Sequence, residues 1–86
     1  PIAQKNQMEP LLVVLQPHQK LEEDRPHEGE EFGYVLSGRI RLYLGEKVYV
    51  VKAGESFYYT ANRAHRIENS TSRPAKFLWV STPPTF

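Results

Sequence analysis

Arg39-Ile40-Arg41-Leu42-Tyr43-Leu44, followed by Gly45-Glu46 and then Lys47-Val48-Tyr49-Val50-Val51, is the stretch that decides the fold. Ile40, Leu42 and Leu44 share one face of an extended chain, with Arg39, Arg41 and Tyr43 on the other. That period of two belongs to a half-buried strand, because successive side chains of a strand point to opposite faces. Gly45-Glu46 turns the chain into the next strand, and Ala53-Gly54 turns it again.

The same punctuation continues in both directions. Toward the N-terminus, Glu31 to Leu36 forms a strand closed by the turn Ser37-Gly38, and Leu11-Leu12-Val13-Val14-Leu15 is a short apolar run ended by Pro17. Toward the C-terminus come Phe57-Tyr58-Tyr59, His65 to Asn69 and Lys76 to Ser81. No segment of ten or more residues carries a helical period, and the seven prolines and five glycines fall mainly at strand ends or turns. Six or seven strands at this spacing predict an all-β, antiparallel sandwich or barrel. Residues 1–9 are polar and aperiodic and read as a linker or N-terminal extension; residues 10–86 form the domain.

Eighty-six residues make one domain, near the lower limit for a core without staples, and there are no cysteines to supply a disulfide or thiolate site. So small a chain gains buried area by pairing with a second copy, which is a reason to expect a homodimer. A formal charge of +1, with acids and bases interspersed, excludes the basic stripe of a nucleic-acid surface. No apolar run approaches the roughly 18 residues of a membrane-spanning helix, and no signal-peptide pattern is present, so a soluble, cytoplasmic domain is expected. The chain opens on Pro1 without an initiator methionine, and a preceding segment is expected to have been removed.

Of the three histidines, His18 sits in the polar turn Pro17-His18-Gln19-Lys20 and reads as solvated. His27 and His65 have more context. In Arg25-Pro26-His27-Glu28-Gly29-Glu30-Glu31, a straight strand would hold His27 and Glu31 about 13 Å apart. Gly29 allows a bend between them, which brings imidazole and carboxylate together. His65 shares parity with Ile67 and Asn69, so if Ile67 points inward His65 does too. Two histidines and a carboxylate converging in a barrel make a facial ligand set for a divalent metal, with positions left open. Alternatively, His27 and Glu31 hydrogen-bond near the barrel mouth and His65 is a satisfied core histidine.

These residues resemble the cupins, whose motifs are G-x5-H-x-H-x3–4-E-x6-G and G-x5-P-x-G-x2-H-x3-N. His27, Glu31 and Gly38 fit the second histidine, glutamate and final glycine of the first motif; Gly54, His65 and Asn69 fit the first glycine, histidine and asparagine of the second. The resemblance implies a jelly-roll β-barrel, with His27, Glu31 and His65 as ligands for iron, manganese, nickel or zinc. Three departures stand out: Arg25 occupies the place of the first metal histidine, Thr60 that of the proline and Asn62 that of the second glycine. Arg25 cannot coordinate a metal, and it either pairs with Glu31 in place of the ion or points to solvent.

A narrower resemblance is to the C-terminal domains of bacterial helix-turn-helix regulators of the XRE type. It is carried by the run from His27 to Gly38 and by the close Trp79-Val80-Ser81-Thr82-Pro83-Pro84-Thr85-Phe86, and it spans residues 10–86. That resemblance implies an effector-sensing, dimerising domain that meets DNA only through a helix-turn-helix head preceding Pro1, and that binds a small polar or anionic metabolite. The expected ligand-binding residues are Arg25, His27, Glu31, Tyr43, Phe57, Tyr59, His65 and Trp79, with Ile67 and Phe77 as further lining. Two other roles stay open: a metal-dependent oxygenase, isomerase or epoxidase, and a dimeriser with no ligand.

Overall fold

The computed structural model describes residues 7–23 and 25–83, and within them every regular element is a strand. The strands are β1 (Glu9–Leu15), β2 (Glu30–Ser37), β3 (Arg39–Leu44), β4 (Lys47–Lys52), β5 (Ser56–Thr60), β6 (His65–Glu68) and β7 (Ala75–Thr82). They form a four-stranded sheet in the order β1-β7-β2-β5 and a three-stranded sheet in the order β4-β3-β6. All pairings are antiparallel. Of the expected N-terminal extension, residues 1–6 lie outside the described residues, and Glu9 already belongs to β1. The last three residues of the closing run, 84–86, also lie outside them.

The connectivity follows from one long hairpin bent across both sheets. β2 pairs with β5 in one sheet and β3 pairs with β4 in the other, so the chain changes sheet at Ser37-Gly38 and again at Ala53-Gly54. β6 and β7 run alongside as a second ribbon, against β3 and β2 in turn. β1 flanks β7, and the bridge from Lys20 to Glu68 carries the same ribbon across to the second sheet. This is the jelly-roll arrangement.

Alternation along each strand supplies the core. Val35 on β2, Ile40, Leu42 and Leu44 on β3, Val51 on β4, Phe57 and Tyr59 on β5, Ile67 on β6 and Phe77 and Trp79 on β7 all face the space between the sheets. Each large apolar side chain buried there contributes roughly 1.5–3 kcal/mol. Gly33 has no side chain to offer because the Phe57 ring occupies its place: a Cβ there would lie 2.0 Å from the ring. Phe57 in turn stacks on Tyr59 and meets Phe77 edge-on.

The outer faces differ sharply. β2 turns Phe32, Tyr34 and Leu36 outward from the four-stranded sheet, all exposed. The three-stranded sheet instead presents Arg39 and Arg41 beside Val48 and Val50, with Arg66 stacked 4.1 Å over the ring of Tyr43.

Candidate functional site: a two-histidine, one-carboxylate cluster

The site is built where β2 and β6 begin and where β5 ends. Glu31 is the second residue of β2 and faces inward by parity with Val35; it is 1% exposed. His65 opens β6 opposite Leu44, on the parity of Ile67, and is also 1% exposed. His27 precedes β2, and its backbone N–H donates to the carbonyl of Ala61 at 2.7 Å. Between His27 and Glu31 the chain bends at Gly29, whose φ of 117° is open to glycine and costly for other residues. A Cβ at Gly29 would also lie 2.3 Å from the carbonyl oxygen of Thr82.

This bend brings three distant groups together. His27 Nε2 lies 3.2 Å and His65 Nε2 3.4 Å from the same oxygen, Glu31 Oε2. The other carboxylate oxygen, Oε1, accepts a 2.5 Å hydrogen bond from the hydroxyl of Tyr59. Each imidazole is also held from behind. His27 Nδ1 lies 3.0 Å from the carbonyl oxygen of Glu28, and His65 Nδ1 lies 2.8 Å from that of Arg63. A carbonyl can only accept, so both Nδ1 atoms carry the proton and both Nε2 atoms face the carboxylate.

That arrangement has an electrostatic consequence. Two neutral imidazoles would aim two Nε2 lone pairs at an anionic oxygen, so a cation belongs between them, either a proton on an imidazole or a metal ion. The donor set suits a divalent metal: three ligand atoms from His27, Glu31 and His65 lie within 4.8 Å of one another. Ligands bound at about 2.1 Å stand about 3.0–3.4 Å apart in octahedral or tetrahedral geometry, which the two histidine–carboxylate distances match. Carbonyl anchors behind metal-binding histidines also fix the tautomer that such a site needs. Burial pushes the Glu31 carboxyl up, but hydrogen bonds from His65 and Tyr59 and the charges of His65 and His27 outweigh it, holding it below its ordinary value of 4.5.

Two openings adjoin the cluster. On the His27 side is a shallow depression lined by Pro26, His27, Glu28, Gly29, Thr60 and Asn62. Along the seam between the edge strands β4 and β5 lies a cavity of about 720 Å³. Leu42, Leu44, Val51, Phe57 and Tyr59 form its apolar floor, and Arg63 and Glu55 stand on its wall. Tyr59 joins the two features, with its ring on the cavity and its hydroxyl on Glu31.

Outside the cluster, three of the expected ligand-binding residues line neither opening. Tyr43 does not face the cavity: it alternates with Leu42 and Leu44, which point inward, and its hydroxyl donates to Glu68 Oε1 at 2.7 Å on the far side of β3. Arg25 does not stand in for an ion on Glu31. It is exposed, before β2 begins, and the contacts of Glu31 run to Tyr59, His27 and His65. Trp79 is buried against Phe77 on β7, opposite Gly33 and one inward position along the sheet from the Glu31 row. His18 is exposed in its turn. Asn69, which fits the second motif, clips the fold: its side-chain amide donates to the carbonyls of Gln16 and Arg73, and its oxygen accepts from Thr71.

The exposed Arg63 borders the cavity, and nothing in a loop's composition tells which exposed side chain lies beside a pocket. The Tyr59–Glu31 bond depends on the pairing of β2 with β5, where Glu31 and Tyr59 are directly opposite.

Comparison with known proteins agrees with this fold. The chain is 32% identical over 76 residues to the HTH-type transcriptional regulator PuuR of Escherichia coli, covering 88% of this chain and 41% of that protein. It is 30% identical over 70 residues to the mannose-1-phosphate guanylyltransferase RfbM of Salmonella typhimurium, covering 81% of this chain and 15% of that enzyme. The chain thus spans less than half the length of either relative. Its fold matches the crystal structure of the Cupin_2 domain of an XRE family transcriptional regulator from Enterobacter cloacae. That match has a TM-score of 0.81 and 22% identity and covers 92% of this chain and 84% of the other. The profile of the Cupin_2 family, described as a cupin domain, matches residues 11–81, and the chain belongs to that family.

Proposed function

We propose that this cupin is the effector-sensing and dimerising domain of a transcription regulator, with a divalent metal held by His27, Glu31 and His65. The carrying observation is the pair of anchored imidazoles aimed at one oxygen of a buried carboxylate, next to the seam cavity. A bound metal would supply a Lewis-acidic point to which a small polar or anionic molecule can attach. The residues of the chain do the rest. Tyr59 holds Glu31 in place, the apolar floor excludes water from one side of the ligand, and Arg63 offers a guanidinium to an anionic group. The regulatory relative supports an effector role, and DNA contact is assigned to a helix-turn-helix domain outside this chain, acting in the cytoplasm. A ligand transmits a signal only if it binds one state of the dimer better than the other.

The test is a thermal-shift screen of small carboxylates and phosphates against the metal-loaded protein, repeated with His65→Ala. A ligand at a hundred times its Kd stabilises the folded state by about 2.7 kcal/mol, a shift of several degrees. Stabilisation of wild type and not of the variant is expected; equal shifts in both would place the ligand elsewhere and overturn the assignment.

The open coordination positions of a three-ligand set favour a second reading, a metal-dependent enzyme of the oxygenase, isomerase or epoxidase type. Turnover of a ligand found in the same screen, followed by mass spectrometry, separates it from a sensor.

A further inference from the structure

The outward face of the four-stranded sheet carries two continuous apolar rows. In one, Pro10, Val80, Phe32 and Tyr58 stand side by side across β1, β7, β2 and β5. In the next, Leu12, Leu78 and Tyr34 do the same, and Leu36 and Val14 extend the patch. Seven of these side chains are large and between 36% and 63% exposed, a combination that a solvated strand face does not normally show. A contiguous face of seven such side chains is the kind of surface that a stable interface buries, about 800 Å² on each partner.

Charge marks the two ends of the patch differently. Glu30 lies outward on β2 beyond Phe32, and Lys76 lies outward on β7 beyond Leu78. The patch therefore runs from an acidic end, through two apolar rows, to a basic end. A second copy of this chain matches that sequence when turned end for end. A two-fold axis parallel to the strands would set Glu30 over Glu30 and Lys76 over Lys76. An axis across the strands sets each Glu30 over the partner copy's lysine and keeps the apolar rows in register. The opposite sheet offers a smaller apolar surface, Val48 and Val50 on β4, set among the outward Arg39, Arg41, Lys52 and Arg66.

We infer that this face is the dimer interface, two four-stranded sheets packed through Phe32, Tyr34, Leu36 and Leu78, with the two-fold axis lying across the strands. The inference deepens the dimer part of the reading above and does not depend on a metal or an effector.

The experiment is sedimentation equilibrium on the 86-residue chain at several concentrations, with variants at outward positions that leave the core alone. Leu78→Glu is expected to raise the dimer dissociation constant at least tenfold, with an unchanged circular dichroism spectrum. Glu30→Lys and Lys76→Glu are each expected to weaken the dimer several-fold at low salt, and the double swap to restore it. A dimer indifferent to Leu78→Glu would overturn this face while leaving dimerisation standing. A dimer that Leu78→Glu dissociates but no single charge change weakens would overturn the axis. A monomer at tens of micromolar would overturn both this face and the dimer reading.

Discussion

Tyr59 and Glu31 show what single residues do in this site. The carboxylate is buried, and its two oxygens have separate tasks: Oε1 accepts from the Tyr59 hydroxyl, while Oε2 faces both imidazoles. Removing the hydroxyl leaves a buried anionic oxygen without its donor, which costs on the order of 1–3 kcal/mol. Tyr59→Phe is therefore expected to lower unfolding free energy by about that amount in urea melts, with weaker metal binding. Acid should act on the same carboxylate. Its folded pKa lies below the ordinary 4.5, so its contribution to stability is fully present above the unfolded value and is lost as pH falls through the folded one. Melts of the metal-free protein between neutral pH and pH 3 are expected to show this loss in wild type and a flatter profile in Glu31→Gln. Identical profiles in the two proteins would remove Glu31 from the account.

At the scale of elements, the turn before β2 matters most, because it brings His27 and Glu31, four residues apart in the chain, to within 3.2 Å of each other. Gly29→Ala forces a side chain into a left-handed position and against the Thr82 carbonyl. The expected result is weakened metal binding with the β-sheet spectrum retained, since the strain falls on the turn and not on the core; unchanged affinity would show that the bend is not what places His27. How far the sequence reveals these elements depends on which force sets them. Alternation is local, so the strands and the inward parity of His65 with Ile67 can be read directly. The error at Tyr43 comes from weighing residue type above parity, for Arg39, Arg41 and Tyr43 share the face opposite Ile40, Leu42 and Leu44. Motif spacing likewise points to Arg25, but spacing says nothing about a side chain outside a strand. The pairing of β2 with β5, and with it the Tyr59–Glu31 contact, is set by how the long hairpin folds across both sheets, which no single segment encodes.

At the scale of the whole molecule, the two sheets divide the work. Their facing sides make the core, and at one end the core gives way to a polar cluster beside an apolar cavity. One outer face is broadly apolar, while the other mixes Val48 and Val50 with arginines and a lysine. The central claim is that His27, Glu31 and His65 form one divalent metal site. Equilibrium dialysis against Co²⁺ tests it most directly, with bound metal read by elemental analysis and by the visible absorption of the cobalt ion. Wild type is expected to hold about one equivalent per chain and His65→Ala well under half of that. No bound cobalt in wild type, or equal binding in the variant, would contradict the claim.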